Sequence, residues 1–305
     1  MNPRMFAAAL SAVAVAALTG CSTSDPLNGN TAGSNSKEAF VVGSQDYYSN
    51  EIIAETYAQA LEAAGYPVER QLRIGQREAY MPEIEAGDID LFPEYTGPAL
   101  QHWQPKPTAR LADAVYAELQ EAVPENLRVL DQSPATDQDA YVVTREFADR
   151  WDLTTIADLA KVAEPLTLGG NSEGETRPNG PRGLKDKYGV EVKFTPIEDG
   201  GGPLTVKALK ALKDNDVQLA IIYTADPSIQ KNDLVVLEDP EGLFLASNVV
   251  PVASDDINDE AAALINEISG VMTAEELVAL NARSVDEKLP AATIAKDWLT
   301  AKSLI

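Results

Sequence analysis

The sequence predicts an α/β protein built as two lobes, and three observations carry this. Strand-like apolar segments alternate with amphipathic helical segments from Phe40 onward. The alternation restarts after "SPATDQ" (Ser133–Gln138). The 305 residues, less their N-terminal segments, are too many for one small core and fit two.

In the first lobe "FVVGSQ" (Phe40–Gln45) reads as a buried strand running into a glycine turn. Ser49 or Asn50 can cap a helix whose inner face carries Ile53, Tyr57, Ala60, Leu61 and Ala64, with Gly65 as its stop. "VERQLRI" alternates as a strand. "REAYMPEIEAG" is a short helix closed by Gly87. "DIDLFPEYTG" reads as a strand that breaks at Pro93 into a turn. "TARLADAVYAELQEA" follows as a helix and "LRVLDQ" as a strand. The order argues for mainly parallel strands covered by helices.

The second lobe repeats the pattern. "DAYVVT" is a strand, followed by helix around Phe147–Ala160 and a strand "EPLTLGG". "GPRGLKDKYG" is a helix with a glycine stop, and "VEVKFTPI" a strand. "EDGGGPLTVKALKALKDND" is a loop entering a helix, and "VQLAIIYTADP" and "LVVLEDP" are strands running into turns. Strand ends that meet polar turns are where open α/β sheets bind ligands. The last third is helical, with Asp256, Thr273 and Asp286 as expected caps.

Residues 1–20 read as an export signal: Arg4, then the apolar run "MFAAALSAVAVAAL", which is short for a membrane span. It ends in "LTGC", which resembles the lipobox of bacterial lipoproteins and implies lipid on Cys21, the only cysteine. Residues 21–39, rich in Ser, Asn, Gly and Thr, read as a flexible tether. The expected place is outside the cytoplasm, anchored by that lipid.

The composition excludes several functions. A net charge of −24, from 48 acidic and 24 basic residues, repels nucleic acid and anionic membranes. His102 is the only histidine, and no "GxSxG" is present for a Ser–His–Asp site. One histidine and one lipidated cysteine do not make a zinc centre. Neither nucleotide-binding glycine fingerprint occurs. "DGGGP" (Asp199–Pro203) could offer backbone N–H groups to an anion, or serve close packing. The chain reads as a binder, with no catalytic residues, metal or cofactor.

"DIDLFPEYTGPAL" (Asp88–Leu100) poses a sharper question: a plain turn needs no tyrosine, whereas a ligand cleft has use for one. The stretch from "VVGSQDYY" to "PEYTGPAL" resembles the first lobe of the glycine betaine/choline/carnitine-binding proteins of ABC osmoprotectant importers. Further matches are "GLKDKYGV", "ALKDNDVQLA", "YTADP" and "LVVLEDP", so the resemblance runs from Phe40 to Ile305. It implies the two-lobed type II periplasmic-binding-protein fold, with two crossovers and closure by a hinge. Lobe one is then residues 40–135 plus 249–305, and lobe two residues 136–248. It also implies a monomeric receptor that hands its ligand to a permease with its ATPase.

A trimethylammonium group has no N–H, so aromatic faces hold it by cation–π attraction. The resemblance places Tyr95, Tyr141 and Tyr223 in such a cage, with Gln45, Thr96 and Arg177 lining the cleft. Two departures from the family pattern stand out. Pro98 replaces a residue that is often Thr or Asp. The fourth aromatic is replaced by Ser247 or Asn248, which adds an amide. Two alternatives follow: the same receptor for another polar or aromatic small molecule, or an enzyme on this fold, for which no positioned base is evident.

Overall fold

The computed structural model describes residues 39–197 and 206–305. Cys21, the residue 21–39 tether up to residue 38, and "DGGGP" lie outside the described residues. The first run is β1 (Phe40–Gly43), α1 (Tyr48–Ala63), β2 (Val68–Gln71), α2 (Arg77–Ala86), β3 (Leu91–Tyr95), α3 (Thr96–Trp103), α4 (Ala112–Ala122) and β4 (Leu127–Val129). The second is β5 (Asp139–Thr144), α5 (Arg145–Trp151), β6 (Leu166–Gly170), α6 (Pro181–Tyr188), β7 (Val192–Pro196), α7 (Val206–Lys213), β8 (Leu219–Tyr223), α8 (Ser228–Lys231) and β9 (Leu234–Val236). The chain then returns through β10 (Val249–Ser254) to α9 (Asp259–Val271), α10 (Ala274–Glu287) and α11 (Ala291–Ala301).

Two five-stranded sheets result, ordered β2-β1-β3-β10-β4 and β7-β6-β8-β5-β9. Both are mixed, where the sequence suggested mainly parallel strands. β10 runs antiparallel to β3 and β4, and β5 antiparallel to β8 and β9. These reversals come from the strands on which the chain enters and leaves the second lobe, which helical alternation does not reveal.

Strand period two sorts the core. In the first sheet Leu91, Val249 and Ala253 pack with α1, α9, α10 and α11, while Phe92 and Val252 pack against Tyr80, Met81 and Ile84 of α2. In the second, Tyr141 and Val143 pack with Phe147, Leu184 and Phe244, while Val142 faces Leu212, Ala220 and Ile222. Gly87 and Gly189 end α2 and α6 in left-handed conformation, φ 78° and 69°, where a Cβ is costly.

Several local expectations change. Ser49 and Asn50 lie inside α1, whose cap position is Tyr47. Thr273 caps α10 as expected, donated to by the Glu276 N–H, but α9 is capped by Asn258 and α11 follows Pro290. β3 runs through Pro93, which stands opposite Pro251 of β10, and passes straight into α3 without a turn.

Two segments join the sheets and pair with each other. Thr136 bridges Asn248 antiparallel, and Asp137 N–H donates to the Ser247 carbonyl at 3.1 Å. The Val249 N–H donates to the Ala135 carbonyl at 3.0 Å.

Candidate functional site

The "PEYTG" motif divides its work residue by residue. The Pro93 carbonyl accepts from Asn50 Nδ2 at 2.6 Å, tying β3 to the start of α1. Glu94 is wholly buried and accepts from Arg77 Nε at 2.9 Å, Arg77 Nη2 at 3.0 Å, Tyr80 Oη at 2.6 Å and the Tyr95 N–H at 2.7 Å. Thr96 Oγ1 donates to the Ala246 carbonyl at 3.0 Å and accepts from the Asn248 N–H at 3.1 Å. Gly97 packs so closely on the second joining segment that a Cβ would stand 2.6 Å from Leu245 Cβ and 2.7 Å from the Ala246 carbonyl oxygen. Four of the five residues therefore build the frame. Tyr95 is left over, 5% exposed, with its hydroxyl near the Asn50 side chain.

Tyrosines converge where the two sheets meet. Tyr47 and Tyr48, at the start of α1, lie edge to face with centroids 4.8 Å apart. The Tyr47 ring lies 4.9 Å from that of Tyr223, the last residue of β8 in the other sheet. Tyr95 is within electrostatic reach of Tyr47, Tyr223 and Asp137. Burial is the main reason that the hydroxyls of Tyr47, Tyr48, Tyr95 and Tyr223 are held well above the usual phenol range.

Carboxylates sit beside the rings. Asp137, on the first joining segment, accepts from Tyr47 Oη at 3.0 Å and from the Ala225 N–H at 3.0 Å. Burial pushes its carboxyl up to about 7, against those two hydrogen bonds and with help from Asp226 and Asp139. Asp226 is 3% exposed and accepts from the Ser228 N–H. Asp139 accepts from Asn179 Nδ2 at 2.9 Å; burial raises its carboxyl, and Arg177 and Arg77 pull it back.

The residues named from the sequence do not all meet. Tyr95 and Tyr223 share the cleft. Tyr141 stands in the core of the second sheet, fully buried, edge-on to Phe244 at 5.0 Å, and donates to the Asn179 carbonyl at 2.6 Å. Its contact with the cleft is through Asn179, which in turn holds Asp139. Arg177 reaches across to Glu78 of α2, with Nη2 at 3.3 and 3.4 Å from the two carboxylate oxygens. Gln45 is buried after β1, where its N–H donates to Asn50 Oδ1. Thr96 is spent on the joining segment. Asn248 Nδ2 donates to the Ser133 carbonyl at 2.9 Å, and its Oδ1 has no partner among the described residues.

Sequence reading passed over Tyr47, Tyr48, Asp137, Asp139, Asp226 and Arg77. Their signal was position: "DYY" follows the carboxyl end of β1, and "TDQD" and "TADP" flank β5 and β8. Within the second lobe, at the ends of β5, β6 and β8, a cavity of about 20 Å³ is bounded by Asp139, Asn171, Arg177, Asn179, Ile221 and Tyr223. That is room for a water molecule only. A neighbouring hollow of about 140 Å³ shares Asp139, Arg177 and Asn179 and adds Arg77 and Glu78.

The comparisons with known proteins agree with this architecture. The chain is 24% identical over 274 residues to the glycine betaine-binding protein YehZ of Escherichia coli (strain K12), covering 86% of this chain and 90% of that protein. It is 23% identical over 276 residues to the carnitine transport binding protein OpuCC of Listeria monocytogenes, covering 88% of each. A crystal structure described as a glycine betaine/carnitine/choline ABC transporter superposes with a TM-score of 0.70 at 20% identity, over 88% of this chain and 99% of that one. That likeness shows the two-lobed fold. The model of the substrate-binding domain of ABC-type glycine betaine transport systems matches residues 39–301, and the chain belongs to that family.

Proposed function

We propose that this chain captures a quaternary amine, of the glycine betaine, carnitine or choline kind, between its lobes and delivers it to the permease and ATPase of an ABC importer. One observation carries the ligand class: tyrosine rings from both lobes, at the ends of β1, β3 and β8, meet beside buried carboxylates. Each desolvated ring against a trimethylammonium group contributes about 2 kcal/mol. The working cage is then Tyr47, Tyr48, Tyr95 and Tyr223, with Tyr141 positioning Asn179. To admit such a ligand the lobes part about the two joining segments, and the Arg177–Glu78 contact, which bridges them, breaks as they do.

Calorimetry and thermal melting with glycine betaine, carnitine and choline test this reading. At least one should bind and raise the melting temperature, since only the folded state binds. A competing ligand would be an uncharged donor that reaches the unpartnered Asn248 Oδ1. Binding of such a molecule, with no response to any quaternary amine, contradicts the reading.

Anchoring belongs to the same proposal. "LTGC" after the apolar run supports lipid on Cys21, and stable attachment takes at least two acyl chains. Mass spectrometry of membrane-extracted protein should find an acylated Cys21. Membrane retention that persists in Cys21→Ser argues against it.

A further inference from the structure

Resting on ligand capture between the lobes, we infer that Asn281 of α10 is a positioning residue for binding: it seats the turn after β8, and that turn brings Tyr223 to the rings of lobe one. α10 thereby serves the binding site as well as the core of lobe one.

The turn "TADP" (Thr224–Pro227) leaves lobe two and enters lobe one. Ala225 is 1% exposed and packs in the cluster that holds Tyr57 of α1 and Leu277 and Leu280 of α10. Among the described residues it is the one member of that cluster from lobe two. On the α1 side its N–H donates at 3.0 Å to Asp137, which also takes the Tyr47 hydroxyl, and Asp226 lies within electrostatic reach of Tyr48. On the α10 side the Ala225 carbonyl accepts from Asn281 Nδ2 at 3.0 Å, and Lys231 of α8 pairs with Asp286. Ala225 is therefore held at both polar groups of its backbone, by a joining segment and by α10. Two residues earlier stands Tyr223, whose ring meets that of Tyr47.

α10 is itself tied to the first joining segment. The Met272 carbonyl, just ahead of the helix, accepts from Ser133 Oγ at 2.6 Å and from the Ala135 N–H at 3.0 Å. Asn281 follows about two helical turns into α10.

For folding alone, an asparagine here is a poor choice. It is wholly buried, and a carbonyl can only accept, so Nδ2 faces Ala225. Its Oδ1 has no partner among the described residues. An unpaired buried acceptor works against stability, and a leucine, of similar volume and beside Leu277 and Leu280, would avoid it. What the amide supplies instead is a donor that crosses from lobe one to the turn of lobe two. With the turn unseated, Tyr223 loses its place beside Tyr47. Apparent affinity then scales with the fraction of molecules in which the turn is seated.

Asn281→Leu tests this, with Asn281→Asp as a second variant that keeps the shape and loses the donor. Each is measured by calorimetry with the tightest of glycine betaine, carnitine and choline, and without ligand by thermal melting and amide hydrogen exchange. Both variants should bind about tenfold more weakly or worse, which is about 1.4 kcal/mol. Asn281→Leu should nonetheless melt within about 3 °C of wild type, a split that a purely structural role does not produce. The Ala225 amide should exchange at least about tenfold faster in both, while the amides of β8 keep their protection. Should Asn281→Leu fail to fold, Asn281→Asp decides. Affinity within about threefold of wild type overturns the inference. So does a loss of affinity accompanied by lost protection throughout lobe one. If none of the three amines binds the wild type, the quaternary-amine reading falls, and the Ala225 amide decides alone: wild-type exchange in both variants overturns the inference.

Discussion

Glu94→Ala should lower the unfolding free energy by about 3–5 kcal/mol, the scale for breaking a buried ion pair from one side. Among the described residues the half-buried Arg77 guanidinium donates to Glu94 alone, and Glu94 also takes the Tyr80 hydroxyl and the Tyr95 N–H. Removing it strands a charge and two further donors inside lobe one. Glu94→Gln keeps an acceptor but not the charge and should fall between wild type and alanine. Urea denaturation gives the comparison. The alanine variant should also bind ligand poorly, because Tyr95 follows directly on the bond that is lost. A loss below about 1 kcal/mol would mean that Arg77 finds another partner on relaxation.

The next largest effect separates two kinds of tyrosine. Tyr47→Ala, Tyr95→Ala and Tyr223→Ala should each weaken the tightest quaternary amine by about 1–3 kcal/mol, tenfold to hundredfold. Their phenylalanine counterparts should lose less, because the ring face remains. Tyr47→Phe also frees Asp137 of a hydrogen bond and should shift the pH dependence of binding. Tyr141→Ala should instead cost about 3–5 kcal/mol of stability, since its ring fills the core of lobe two. Tyr141→Phe should fold well and bind nearly normally, having lost only the bond to the Asn179 carbonyl. Equal loss of affinity in Tyr141→Phe and Tyr223→Ala would return Tyr141 to direct contact.

The alternation of strand and helix made the two lobes legible, and the restart after "SPATDQ" marked the first joining segment. Capping and glycine signals worked where local chemistry decides alone, as at Thr273 and Gly87. They failed at Asn50, whose amide is drawn to the Gln45 N–H and the Pro93 carbonyl rather than to its own helix. "PEYTG" was read as a turn because Pro93 breaks the pattern. In the structure, the proline lies in a strand and the glycine answers to a joining segment about 150 residues later, which no window around the motif contains. The tyrosine expected from the resemblance after the first joining segment, Tyr141, packs in the core of lobe two and donates to the Asn179 carbonyl, while Asp137 stands beside Tyr47. Four residues of extended chain span up to about 13 Å, enough to carry a side chain from the joining segment into the core. Tyr47 and Tyr48 stood in the quoted motif, and the strand-end rule applied to β1 would have picked them out.

A crystal structure of the protein with its tightest-binding quaternary amine tests the central claim most directly. The account predicts a ligand nitrogen within about 6 Å of the ring centroids of Tyr95 and Tyr223, enclosed by both lobes, with Asp137 beside it. A ligand held on one lobe alone, or with its nitrogen away from those rings, would contradict it.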